Sequence, residues 1–266
     1  MKKQQKRKVQ TQGDIAARHK MRQKKRHRTV VMRRFTAFVV LIIICVFVIA
    51  FFTPAFNIKS VQVEGNTQVD STVIINQSGV VEGQNLFKIN VPQIKNAVNS
   101  LPYIKNVTIK RILFPPSLKI SIEESSADAY IMYNGNCVLI DRNCNVLEET
   151  SSPKGGIPEI TGLNLQNYSV GNKLNIDESD KSDIILLCID IMEQQGILSQ
   201  VNSIALDNVT DISFKYQNRL TIKCGSALDL DNKLVFFKSI LDSGRLTDNS
   251  RGTIDISTSG QAIYTP

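Results

Sequence analysis

Ser151-Ser152-Pro153-Lys154 has the S-x-x-K spacing of a serine nucleophile with a lysine partner, as in acyl transferases that act on cell-wall peptides. Those enzymes also need S-D-N and K-T-G. The chain has neither, Lys223-Cys224-Gly225 is a poor substitute, and the serines lie in a Pro/Gly loop instead of at a helix start. The carboxylate pairs Glu123-Glu124 and Glu148-Glu149 are adjacent, so on a strand their side chains leave opposite faces and make no two-carboxylate site. The two histidines, His19 and His27, both lie in the first 34 residues, so the remainder has no imidazole for a Ser-His-Asp triad, a Cys-His pair or a His-ligated zinc. Cys137, Cys144, Cys188 and Cys224 do not have the spacing of metal knuckles. Cys137 lies too far along a hairpin closed at Asp141–Asn143 to face Cys144, and Cys188 falls on the apolar face of a helix. We read at least two of the four as small buried apolar residues and predict no disulfide. No phosphate-binding glycine loop or calcium-binding loop occurs. No catalytic, cofactor-binding or metal-binding residue is therefore assigned, and no cofactor is expected.

The elements that would position such residues begin with a membrane segment. The 266 residues carry a formal charge of +8, unevenly distributed. Residues 1–34 hold 14 Lys/Arg against the single acid Asp14, leaving 18 Lys/Arg and 23 Asp/Glu for the rest. Phe35 to Phe52 then runs without a charge, about 27 Å as a helix at ~1.5 Å per residue, against a ~30 Å hydrocarbon core. The stretch is too long for a cleaved signal, and Phe51-Phe52-Thr53-Pro54 offers no cleavage pattern. We therefore expect an uncleaved anchor with the Lys/Arg-rich side in the cytoplasm and the bulk outside. The tail lacks interleaved aromatics, so topology and anionic lipid explain it better than nucleic acid does.

Beyond the span, Ile58–Glu64 alternates like a strand. Asp70-Ser71-Thr72 supplies cap chemistry for a short helix through Gln77, with Gly79 just past its end, and Asn90 caps a second with Ile94, Ala97, Val98 and Leu101 on one face. Two strands follow, around Val107–Ile109 and Leu118–Ile122, giving the order β-α-α-β-β. The second half reads as short strands at Ala129–Tyr133, Cys137–Ile140 and Asn145–Glu148. A helix from Ser179 or Asp180 carries Ile184, Ile185, Cys188, Ile191 and Met192, and ends at Gly196. Strands Ile204–Leu206, Asp211–Tyr216 and Leu220–Cys224 come next, then a helix capped by Asp231 and a final strand Thr253–Ser257.

Val63-Glu64-Gly65-Asn66, Gly83-Gln84-Asn85-Leu86-Phe87, Leu101-Pro102-Tyr103-Ile104, Arg111 and Pro115–Glu124, in that order after a membrane span, resemble the polypeptide-transport-associated (POTRA) domain of the bacterial FtsQ/DivIB family. Pro158-Glu159-Ile160-Thr161-Gly162 and Gly252-Thr253-Ile254-Asp255-Ile256 resemble pieces of that family's second domain. Glu124 departs from the pattern, since many relatives carry Arg after the Glu. The fold class is thus α+β: a single N-terminal transmembrane helix, a β-α-α-β-β POTRA domain, and a mixed α+β domain dominated by an antiparallel sheet. The expected layout is a basic cytoplasmic tail at 1–34, a transmembrane helix at 35–53, a POTRA-like domain at 56–125, a β-domain at 126–258 and a short tail at 259–266.

The resemblance implies a non-enzymatic scaffold of the division machinery at the septum. It would bind the single-span proteins FtsL and DivIC (the FtsB counterpart) outside the membrane and help control septal wall synthesis, without nucleic acid or a small-molecule substrate. Strand addition to the last strand would serve this role, because an edge strand presents unpaired backbone donors and acceptors. Carried over from relatives, the expected partner-binding residues are Ile256, Thr258, Gly260, Ala262 and Tyr264. The competing class is a membrane-anchored exterior enzyme acting on cell-wall peptides.

Overall fold

The computed structural model describes residues 31–153, 155–165, 167–176 and 179–266. Helix α1 spans Val31–Phe52 and is long and apolar enough to cross a bilayer, with a mean hydropathy of 3.2 over its most apolar window. It starts four residues before the uncharged run and so takes in Arg33 and Arg34. The rest of the basic tail lies outside the described residues.

The chain forms two compact units. The first holds residues 31–60, 81–89 and 111–118. Its α1 ends where the Thr53 hydroxyl donates to the Ile49 carbonyl at 2.6 Å and Pro54–Phe56 makes a single 3-10 turn. The strand-like segment after it is stitched to the 83–86 loop: the Ile58 amide donates to Gln84 O at 2.8 Å, and the Leu86 amide to Phe56 O at 2.9 Å. Ile58 and Leu86 are buried there.

The second unit holds 61–80, 90–110 and 119–266, apart from the undescribed residues. Helix α2 (Ser71–Ser78) starts at Asp70, whose side chain accepts from the Thr72 amide at 2.7 Å, and ends at Gly79 with φ 66°. Helix α3 (Val91–Asn99) starts at Asn90, whose side chain accepts from the Gln93 amide, with Pro92 in the first turn. Both ends follow from cap chemistry. Ile74, Ile94 and Val98 form their buried face. Strands β1 (Ser60–Glu64), β2 (Ile104–Leu113) and β3 (Pro116–Glu124) form a sheet ordered β1-β3-β2. Gly65, with φ 87°, allows the turn after β1 to pass so close to β3 that an added Cβ would lie 2.2 Å from Ile122 O.

The remaining strands form one nine-stranded sheet. They are β4 (Ala129–Tyr133), β5 (Asn136–Ile140), β6 (Val146–Thr150), β7 (Glu159–Thr161), β8 (Val201–Ala205), β9 (Ile212–Tyr216), β10 (Leu220–Gly225), β11 (Gly252–Asp255) and β12 (Ile263–Thr265), ordered β12-β11-β10-β9-β8-β7-β4-β5-β6. Antiparallel pairs predominate, but β10–β11, β4–β7 and β7–β8 are parallel. Helices α4 (Ser179–Gln194) and α5 (Leu230–Asp242) pack into the core with the sheet. The stripe read from the sequence, Ile184, Ile185, Cys188, Ile191 and Met192, is buried. Phe237 of α5 meets Phe214 and Tyr216 edge-on, each at 5.5 Å between ring centroids. The residue capping α5 is Asp229, at φ 54° and with no side-chain cap bond, instead of Asp231.

All four cysteines of the second unit are free and buried. Burial pushes the Cys144 thiol up to about 11, despite a lowering by Lys173, and the Cys188 thiol up to about 12.

Candidate functional site

The strand expected to be last is internal. β11 pairs with β10 on one side and with β12 on the other, in register Thr253↔Thr265, Ile254↔Tyr264 and Asp255↔Ile263. The reason lies in the segment that had looked like a tail. Ile263-Tyr264-Thr265 consists of strand-forming residues, and a turn at Thr258–Gln261, where the Gln261 amide donates to Thr258 O at 3.2 Å, folds it back. β12 is therefore the edge of the sheet.

Local chemistry fixes this edge. Gly252 sits at φ 129°, and a Cβ there would lie 2.2 Å from Thr265 O, so β11 can start beside the end of β12 only with glycine. The Arg219 guanidinium donates to Thr247 O and Ser250 O, both at 3.0 Å, anchoring the loop into β11. The Tyr264 hydroxyl donates to Arg251 O at 2.6 Å. After β11, the Asp255 carboxylate accepts from the Ser257 amide at 2.9 Å, and bonds from the Ser257 hydroxyl and amide hold this carboxyl below the usual range.

The expected contact residues divide in two. Ile256 is fully buried, and its amide donates to Lys223 O at 2.8 Å. It extends the inward alternation of Ile254 and presents no surface to a partner. Thr258, Gly260, Ala262 and Tyr264 are exposed. Sequence reasoning missed Ile263, which is 65% exposed beside Tyr264 at 44%. The signal available was a bulky aliphatic next to the aromatic. Among the described residues no strand pairs with the outer side of β12. At the other edge, β6 is flanked by 171–174, with Val146 N donating to Asn172 O at 2.9 Å and Gly171 N to Val146 O at 2.8 Å.

The residues considered for chemistry have structural tasks. Glu124 accepts from the Thr67, Gln68 and Val69 amides at 2.8–3.0 Å and from the Thr67 hydroxyl. Partial burial pushes its carboxyl up, yet these bonds together hold it below the ordinary value. Glu123 pairs with Lys105 at 2.7 Å, Glu148 accepts from the Tyr103 hydroxyl at 2.7 Å, and Glu149 accepts from Asn136. Ser151 and Ser152 lie in an exposed bend, and Lys154 lies outside the described residues. Among the described residues no group of three or more His, Cys, Asp or Glu is placed to hold a metal. A cluster of charges around the buried Asp128 also acts in the fold. Arg142 chelates the Asp128 carboxylate with two 3.1 Å bonds and reaches Asp190 at 2.7 Å and Glu193 at 2.8 Å on α4. Asp128 and then Glu193 hold its proton more tightly than usual.

Residues 56–125 match the family model described as POTRA domain, FtsQ-type. The chain is 29% identical over 212 residues to cell division protein DivIB of Clostridium acetobutylicum, covering 79% of this chain and 83% of the relative. It is 27% identical over 241 residues to cell division protein DivIB of Clostridium tetani, covering 90% of each. It is also 27% identical over 132 residues to cell division protein FtsQ of Corynebacterium glutamicum, covering 50% of this chain and 59% of the relative. The chain thus carries an FtsQ-type POTRA domain at 56–125 and is similar along most of its length to bacterial cell-division proteins named DivIB.

Proposed function

We propose that the chain is a non-enzymatic scaffold of the division machinery. Its edge strand β12 takes up an extended segment of another division protein. The exposed Ile263-Tyr264 edge carries this reading, because β12 offers one side of its backbone to solvent next to a large aliphatic and an aromatic anchor. The partners proposed are FtsL-like and DivIC/FtsB-like single-span proteins, through which the assembly would help control septal wall synthesis. α1 is the retained anchor of a single-pass type II protein. The Lys/Arg of residues 1–34 favour a cytoplasmic N-terminus, with a POTRA domain at 56–125 and a β-domain from 126 onward outside the membrane at the septum. Thr258, Gly260, Ala262, Ile263 and Tyr264 form the contact; Ile256 supports it from beneath.

Co-purification of the partners from detergent-solubilised membranes tests this. Tyr264→Ala should weaken binding by about 2 kcal/mol, roughly thirtyfold, the scale of an aromatic anchor. Ile263→Asp should weaken it further. Undiminished capture by both variants would remove β12 from the interface.

A further inference from the structure

A chain of aromatic rings leads from the membrane helix onto the first exterior domain. Phe47 stacks on Phe51 at 4.4 Å in the last turns of α1, and Phe51 lies 5.9 Å from Phe87. Phe87 meets Phe56 at 5.2 Å, and Phe56 lies 6.3 Å from Phe114. All five rings belong to the first compact unit. The loop carrying Phe87 is fixed to the helix end, because the Asn85 side chain donates to Ala50 O at 2.9 Å and Lys88 Nζ sits 5.1 Å over the Phe52 ring. The far end of the chain of rings is the β2–β3 hairpin tip. There Phe114 is 81% exposed and Leu113 43%, and Val81 of the same unit is 61% exposed.

Those exposures are costly in water, at roughly 25 cal/mol per Å² of apolar surface. They occur beside the end of a helix that itself has to sit in lipid. α1 has 22 residues, about 33 Å at ~1.5 Å per residue, so a bilayer ~30 Å thick ends near Phe51 and Phe52. The hairpin tip is tied through those rings to the level where acyl chains meet headgroups. The unit's charges after α1 suit that level: Lys59, Lys88 and Arg111 are exposed against the single acid Glu82. An apolar tip flanked by cations is the composition of interfacial membrane contacts.

We propose that the Leu113-Phe114 tip and Val81 rest in the interfacial layer of the same bilayer that α1 crosses. The first domain then has a second membrane contact besides its covalent tether. The occupant is lipid, because the patch continues the lipid-facing surface of α1.

The chain has no tryptophan, so a single Trp reports its own surroundings. Full-length F114W, V40W and L228W, each purified alone and reconstituted in vesicles, would be read by fluorescence quenching. The lipids would carry bromine either near the headgroup end of the acyl chain or near its terminus. Val40 lies mid-helix in α1, and Leu228 is 75% exposed in the second unit. V40W should be quenched most by terminal bromines, F114W most by headgroup-proximal bromines with blue-shifted emission, and L228W by neither. L113W should follow F114W, which covers failure of F114W to fold. If F114W and L113W behave like L228W while V40W is quenched, the tip does not touch lipid and the proposal is overturned. Blue-shifted but unquenched emission from both would overturn it as well, since another protein surface then covers them. An unquenched V40W would overturn the membrane anchor itself.

Discussion

Glu124 shows how a single carboxylate can hold a turn in place of metal or substrate. Its folded-state pKa is depressed, so its contribution is present above the ordinary value of 4.5 and is lost as pH falls below it. Thermal unfolding of the full chain in detergent should show stability falling on acidification below about pH 4.5. Glu124→Gln should flatten that fall and be less stable at neutral pH. An unchanged acid slope would show that the Thr67–Val69 turn does not depend on the charge. The cysteines make a second prediction at this scale. With their thiols buried, Cys137, Cys144, Cys188 and Cys224 should resist alkylation at neutral pH in the folded chain and react after denaturation, and burial also raises the thiols of Cys144, Cys188 and Cys224. Rapid labelling of any of them in the folded state would contradict the described burial.

At the scale of elements, α5 is the connection that creates the edge. β10 and β11 are parallel, so the chain must cross over between them, and α5 makes the crossing while seating Phe237 against Phe214 and Tyr216. Phe237→Ala should cost about 3–5 kcal/mol, read as a lowered denaturation midpoint. Gly252→Ala should act more locally, since its Cβ would collide with Thr265 O. It should loosen β12, seen as faster amide exchange at 263–265, with the midpoint less changed. These elements also show what the sequence makes legible. The cap chemistry of Asp70-Ser71-Thr72, which the structure settles on Asp70, and of Asn90 was readable because capping is settled within three residues, and the α4 stripe because burial repeats with the helix turn. The parallel β10–β11 pair was not readable, because strand order depends on contacts between distant segments. β12 was missed because it has three residues, all exposed, and shows no alternation. Ile256 was expected by resemblance to be a partner contact, although its spacing from Ile254 places it inward.

The whole molecule combines α1, long and apolar enough to cross a bilayer, with an α+β fold, and its proposed working surface is backbone. The sheet has two ends. β6 is flanked by 171–174, whereas β12 carries Ile263 and Tyr264 outward. That asymmetry predicts a partner at one end only. The most direct test is photo-crosslinking in living cells with a reactive residue at Ile263 or Tyr264, compared with Thr150 on β6 and Leu228 on the exposed surface. Strong adducts of a single-span division protein are predicted from 263 and 264, and little from 150 or 228. Equal or stronger adducts from 150 or 228, with none from β12, would contradict a docking edge at β12.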